Sequence, residues 1–163
     1  MIQAICCGII ALVAVADQLI KYAVLHSSLT AGENIVLIPH VLQLRYVENT
    51  GAAFSMLSDR TTLLSVVTAV VIVGGIVLLL SGRIRSRFLN VVIAMVIAGG
   101  LGNLIDRVLR HFVVDYIEVL FVNFAVFNFA DCFVTVGEFL LIGYLLYDIF
   151  KDSKKGVKES DGE

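Results

Sequence analysis

Six polar residues stand close together between two long apolar runs: Asn103, Asp106, Arg107, Asp115, Asn128 and Asp131. Polar side chains are costly in a mostly hydrocarbon setting, so such a gathering asks for a chemical reason. Two carboxylates held close together cannot both ionise cheaply; one keeps its proton while the other is an anion. The anion can take a proton from water, and the neutral acid can hydrogen-bond a peptide carbonyl and later protonate the amine. Asp115 and Asp131 are the candidates for that catalytic pair, and the chemistry is peptide hydrolysis without a metal or a covalent intermediate. Asn103 and Asn128 could orient the carboxylates or bind substrate backbone. No Gly-x-Ser-x-Gly elbow occurs, and Cys132 lacks an evident His partner. Neither a His-Glu-x-x-His helix nor a carboxylate-rich loop is present, so no metal or cofactor is expected.

The elements that must position these residues follow from composition. The 163-residue chain is 59% hydrophobic and only 16% charged, with a mean hydropathy of +0.95. Soluble domains average about 45–50% apolar and 25% charged, so a single-domain integral membrane protein is expected. A net charge of -2 and the lack of a basic stripe with interleaved aromatics exclude a nucleic-acid partner. Cys6 and Cys7 are adjacent in an apolar run and read as small apolar filler. About 20 apolar helical residues cross a ~30 Å hydrocarbon core. Four segments meet that length, approximately Ile5 to Leu25, Leu63 to Leu80, Phe88 to Ile105 and Phe133 to Phe150.

Orientation follows from the basic residues. Arg83, Arg85 and Arg87 lie between the second and third segments, and Lys151, Lys154, Lys155 and Lys158 follow the fourth. Both groups belong on the cytoplasmic side by the positive-inside rule, which with four spans puts both termini there. The expected architecture is therefore an all-α membrane domain over residues 1–150. Its external parts are a β-rich segment, 26–62, between helices 1 and 2, and a loop, 106–132. The charged tail, 151–163, is expected to be disordered.

Three more ionisable residues fall within the spans, all in the outer half. Asp17 and Lys21, at i and i+4, share a helix face and can pair; Glu138 lies about two turns into the fourth helix, roughly 10 Å. One site on the outer face accounts for all of them. Asp131 taken alone could equally be a helix N-cap. Asn49 and Gly51 suit a tight turn, and residues 49–57 could form a lid. Ala94, Ala98 and Gly102, with Gly99 and Gly100 alongside, permit close helix packing, as do Gly74 and Gly75. A proton-coupled transporter using Asp17, Lys21 and Glu138 as a relay is one rival reading. A scaffold with purely structural polar groups is another.

Five ordered motifs carry a resemblance: Asp17-Gln18-x-x-Lys21, Asn49-x-Gly51-Ala52-Ala53-Phe54, Gly99-Gly100-x-Gly102-Asn103-x-x-Asp106-Arg107, Val114-Asp115-Tyr116 and Phe127-Asn128-x-Ala130-Asp131. Together they resemble the bacterial lipoprotein signal peptidase (signal peptidase II) family over nearly the whole chain. The resemblance implies an aspartyl peptidase of the bacterial cytoplasmic (inner) membrane. Such an enzyme cuts diacylglyceryl-modified prolipoproteins before the lipidated Cys, on the outer face of the membrane. It implies Asp115 and Asp131 as the catalytic pair. Asp17, Lys21, Asn49, Gly51, Asn103, Asp106, Arg107, Asn128, Ala130 and Glu138 become supporting or substrate-contacting positions. Membrane lipids and globomycin-type inhibitors are the further partners implied, and a monomer is expected. Two positions depart from the family pattern: Cys132 stands where Ser is common, and Phe124-Ala125-Val126 replaces an aromatic-Pro approach.

Overall fold

The computed structural model describes residues 1–51 and 60–160, with side chains through Lys151. Four long helices form where hydropathy requires them: α1 (Ile2–Leu25), α2 (Thr61–Leu80), α3 (Arg87–Arg110) and α4 (Phe129–Ser160). Each contains a stretch long and apolar enough to cross a membrane, which in α4 is Phe129–Lys151. The bounds differ from the hydropathy reading mainly at the ends. α3 runs on through Asp106, Arg107 and Arg110, which hydropathy counts as loop. α4 starts at Phe129, so Asp131 lies inside its first turn, and its backbone stays helical to Ser160. The segment expected to be a disordered tail thus continues the helix through residue 160: it holds no Pro, and its Lys and Glu residues are good helix formers.

Helix α3 is the hub. It packs against α1, α2 and α4, while contacts between those three are slight. Small residues make this possible. Ala94 and Ala98 are fully buried, and a Cβ built on Gly99 would collide with the Ala130 carbonyl and the Val134 side chain of α4. One on Gly137 of α4 would lie 2.6 Å from Val96 Cγ2. In the Gly74-Gly75 pair only Gly75 makes a close approach, to Ile97; nothing lies within 4 Å of a Cβ on Gly74. Gly99→Ala is therefore expected to force α3 and α4 apart. Overpacking of this kind costs about 1–3 kcal/mol, measurable as a lowered midpoint of thermal unfolding in detergent, whereas Gly74→Ala should leave it unchanged.

Three strands, β1 (Ile35–Ile38), β2 (Leu42–Asn49) and β3 (Val113–Val119), form an antiparallel sheet in the order β1-β2-β3. Between β1 and β2 the chain turns at Pro39 and His40, the latter in the left-handed region at φ 59°. The β-rich part is not confined to the connection between α1 and α2, because β3 comes from the α3–α4 connection. Pairing of Val47 with Asp115 and of Asn49 with Val113 ties the two connections together. His111, at φ 66°, caps α3 and turns the chain directly into β3. The sheet thus sits at the end of the bundle where α3 ends and α4 begins.

Candidate active site

Both aspartates are placed by regular structure. Asp115 is on β3, 2% exposed, held by pairing to β2 on one side. On the other side the Tyr116 and Ile117 N–H groups donate to the Phe127 carbonyl at 3.0 and 2.8 Å. That second contact draws the segment before α4 alongside β3. Asp131 is fixed by the start of α4 itself. The Asp131 N–H donates to Asn128 Oδ1 at 3.0 Å, and the Asn128 N–H donates to Asp131 Oδ2 at 3.0 Å. This is a reciprocal capping box in which Asn128 is the cap and Asp131 the third residue. Asp131 is therefore not the N-cap that its sequence position allowed. The helix N-terminus also favours negative charge on it.

Three asparagines connect the acids. Asp115 accepts from Asn49 Nδ2 at 2.8 Å on one oxygen and from Asn128 Nδ2 at 2.6 Å on the other. Asp131 Oδ1 accepts from Asn103 Nδ2 at 2.7 Å, its other oxygen being held by the Asn128 backbone. Asn128, wholly buried, thus contacts both carboxylates and also donates to Asn103 Oδ1 at 3.1 Å. Burial first, and then the negative charge of Asp131, raise the Asp115 carboxyl to about 7, against the lowering effect of its two amide donors. A proton held near neutrality beside a second carboxylate is what general acid–base hydrolysis needs.

The orientation of Asn103 is set from beneath. Lys21 Nζ, which can only donate, lies 2.9 Å from Asn103 Oδ1, so the amide NH₂ must face Asp131. Lys21 is itself completely buried and lies 2.9 Å from both Asp17 and Asp106, which are also completely buried. Arg110 pairs with Asp106, so two acids and two bases balance within one network. Asp17 Oδ1 further accepts the Ala130 N–H at 3.1 Å, and Asp106 Oδ2 accepts the Val114 N–H at 3.1 Å. The network therefore anchors the residues just before Asp115 and Asp131. A Cβ on Gly102 would meet Asp17 Oδ2, which explains a Gly at that point.

The turn after β2 is also built around the site. Asn49 Oδ1 accepts the Gly51 N–H at 2.9 Å, leaving its NH₂ for Asp115. Arg107 Nη2 donates to the Gly51 carbonyl at 3.0 Å, while its buried Nε has no partner among the described residues. Residues 52–57 of the expected lid lie outside the described residues. Of the twelve residues singled out from sequence, eleven are joined by these contacts. Glu138 is not: it is exposed on α4 and pairs with nothing among the described residues. Asp17 and Lys21 close on Asp106 instead of on Glu138, which leaves the transporter reading without its relay.

Comparison with known proteins addresses the same arrangement. Residues 9–147 match the model of the family described as signal peptidase (SPase) II. The chain belongs to the signal peptidase II family. Among its relatives, the lipoprotein signal peptidase of Streptococcus pneumoniae strain R6 is 41% identical over 140 residues, covering 86% of this chain and 91% of that one. That of Brevibacillus brevis is 35% identical over 147 residues, covering 90% and 95%. A bacterial membrane enzyme solved by the in meso method at 2.3 Å superposes with a TM-score of 0.77 at 33% identity, covering 90% of each chain. Membership of the signal peptidase II family makes the chain a peptidase with membrane-crossing helices. Sequence reasoning left out Arg110, Gln18 and Tyr116 as site residues. Arg110 was legible as an i+4 partner of Asp106. Gln18, which donates to Asp106 at 3.2 Å and to the Gly102 carbonyl at 3.1 Å, and Tyr116, whose hydroxyl accepts the Phe129 N–H at 3.2 Å, stood in the motifs beside Asp17 and Asp115 but were given no role.

Proposed function

We propose that this chain is an aspartyl endopeptidase that removes signal peptides from diacylglyceryl-modified prolipoproteins, cleaving before the lipidated Cys. The observation that carries the mechanism is the shared amide frame: Asn128 touches both Asp115 and Asp131, and each carboxylate has both oxygens held. In this reading the pair carries one proton. The anionic member takes a proton from water as the oxygen attacks the scissile carbonyl. The protonated member hydrogen-bonds the carbonyl oxygen, then gives its proton to the departing amine as the C–N bond breaks. The family relationship supports the substrate class.

The setting is the outer face of the bacterial cytoplasmic (inner) membrane. Arg83, Arg85 and Arg87 lie at the end of the bundle away from the sheet, which favours that end as cytoplasmic. A signal peptide is an apolar helix and its lipid stays in the leaflet, so a monomer can take its substrate laterally. Each buried CH₂ of that lipid contributes ~0.8 kcal/mol to retention. Globomycin-type inhibitors are expected to occupy the same site.

The test is to mix the purified protein with a prolipoprotein carrying or lacking its diacylglyceryl group and to sequence the product. Cleavage before the modified Cys, dependent on the lipid, is the expected result; no cleavage of either substrate by demonstrably folded protein would overturn it. The rate should also fall as pH rises through about 7, because the proton held at Asp115 is then lost. Beyond that point the decline should approach tenfold per pH unit, read from initial rates at saturating substrate. A rate still rising between pH 7 and 9 would contradict the shared proton.

A further inference from the structure

Helices α1 and α2 both pack on α3 and touch each other at most slightly. Near the end of the bundle away from the sheet, an apolar cavity of about 260 Å³ opens between them, lined by Cys6, Cys7, Ile10, Ile76, Leu79 and Leu101 among others. Its base is firmly packed, with Cys6 1% and Leu79 3% exposed. Along α1 the lining runs from Gln3 to Ala11, which is about 12 Å of helix. That is under half of a ~30 Å hydrocarbon core, so the cavity belongs to one leaflet, the one at the turn between α2 and α3.

Size and charge select the occupant. A helix is about 10–12 Å across and is too bulky for this space. An apolar cavity of about 150 Å³ takes a benzene ring, so this larger one takes several methylenes of a lipid chain. At its mouth, a Cβ on Gly82 would lie 3.7 Å from Gln3 Nε2, which puts the turn after α2 beside the start of α1. Arg83 follows Gly82, and Arg85 stands two residues further on. Both are exposed, and neither their guanidinium groups nor the Gln3 amide has a partner among the described residues. Residues 1–16 and 60–105 contain no Asp or Glu, so the two segments that frame the mouth offer positive charge alone. Guanidinium matches a phosphate in charge and in hydrogen-bonding geometry. The cavity higher on the same side of α1, lined by Gln18, Tyr22 and Arg110, offers no such free cation, because Arg110 already holds Asp106 and Gln18.

We infer that the lower cavity binds an anionic phospholipid of the leaflet at the Arg83 end: one acyl chain lies between α1 and α2, and Arg83 holds the phosphate, with Gln3 and Arg85 beside it. This goes beyond the peptidase reading and does not depend on it. The lipid joins two helices that otherwise barely meet, and a ligand that binds only the folded state stabilises it.

The experiment reconstitutes the full-length protein in phosphatidylcholine liposomes doped with a phosphatidylglycerol that carries a diazirine midway along one acyl chain. Irradiation and peptide mapping are expected to place adducts on Cys6 to Ile10 and on Ile76 to Leu79. The same diazirine on phosphatidylcholine should label these residues about fivefold less, the worth of one cation beside an anionic headgroup. Arg83→Gln should bring the phosphatidylglycerol label down to the phosphatidylcholine level. In detergent, phosphatidylglycerol should raise the thermal midpoint of the parent more than that of Arg83→Gln. Equal labelling by the two lipids, adducts spread evenly to outward residues such as Val70 and Phe139, or a label and midpoint untouched by Arg83→Gln would overturn the inference. So would Cys7–Cys7 dimers under mild oxidation with no lipid adduct, which would give the cavity to a second copy of the chain. None of these readouts is cleavage, so failure of the peptidase reading would leave them unchanged.

Discussion

Asp115→Asn and Asp131→Asn are each expected to lower cleavage of a lipidated prolipoprotein by about 10²–10⁴-fold, the usual worth of a positioned acid or base. The loss should fall on kcat, since neither change removes apolar contact with the substrate. Both variants should remain folded, with a small penalty of known origin. At position 115 an Asn has one acceptor oxygen where the carboxylate has two, so one of the donors Asn49 and Asn128 loses its partner. At position 131 the same arithmetic leaves either Asn103 Nδ2 or the Asn128 N–H unmatched. A buried donor left without a partner costs about 1–3 kcal/mol, which thermal unfolding in detergent would register without loss of the folded state. Near-normal turnover by either variant would remove that residue from the chemistry.

Lys21→Met has the larger effect on stability. The side chain is of similar length, but Asp17 and Asp106, both completely buried, lose the cation that lies 2.9 Å from each. Removing one member of a buried charged network costs about 3–5 kcal/mol, because uncompensated charge is left behind. Arg110 still faces Asp106, so the burden falls mainly on Asp17, and with it on the Ala130 anchor of α4. Activity should fall as well. Without the ammonium, only Asn128 Nδ2, at 3.1 Å, still holds the Asn103 oxygen away from Asp131, and a reversed amide would present an acceptor to an acceptor. Pairing Lys21→Met with Asp17→Asn relieves the stray charge. The double variant should recover part of the unfolding midpoint but not the rate, which separates the structural role of Lys21 from its effect on Asn103.

The sequence made the membrane helices legible because a span is a long, uninterrupted signal. It was less informative at their ends: α3 was cut short since Asp106, Arg107 and Arg110 look like loop, whereas they are partners of α1 and of the turn after β2. β3 was visible as a β-branched run, but its pairing with β2 joins residues 64 to 77 positions apart, and no local pattern encodes that. The two aspartates were legible through their ordered motifs. What the motifs left unsaid is why Asp131 is more than a cap: Asn128 takes the capping role and leaves the Asp131 carboxylate facing Asn103. Glu138 was drawn into the site by counting charges in the outer half of the spans. Helical phase places it on the same face of α4 as Asp131 but two turns away, exposed and outside the network.

The account stands or falls on one proton shared by two carboxylates. The most direct measurement is an infrared titration of the protonated carboxyl band in liposomes, comparing the parent with Asp115→Asn and Asp131→Asn. A carboxyl that titrates at about pH 7 is predicted for the parent. It should disappear in Asp115→Asn, and move to lower pH in Asp131→Asn because one of the two causes of the shift is then gone while burial remains. A parent protein whose carboxyls all titrate in the ordinary range near pH 4 would contradict the proposed dyad.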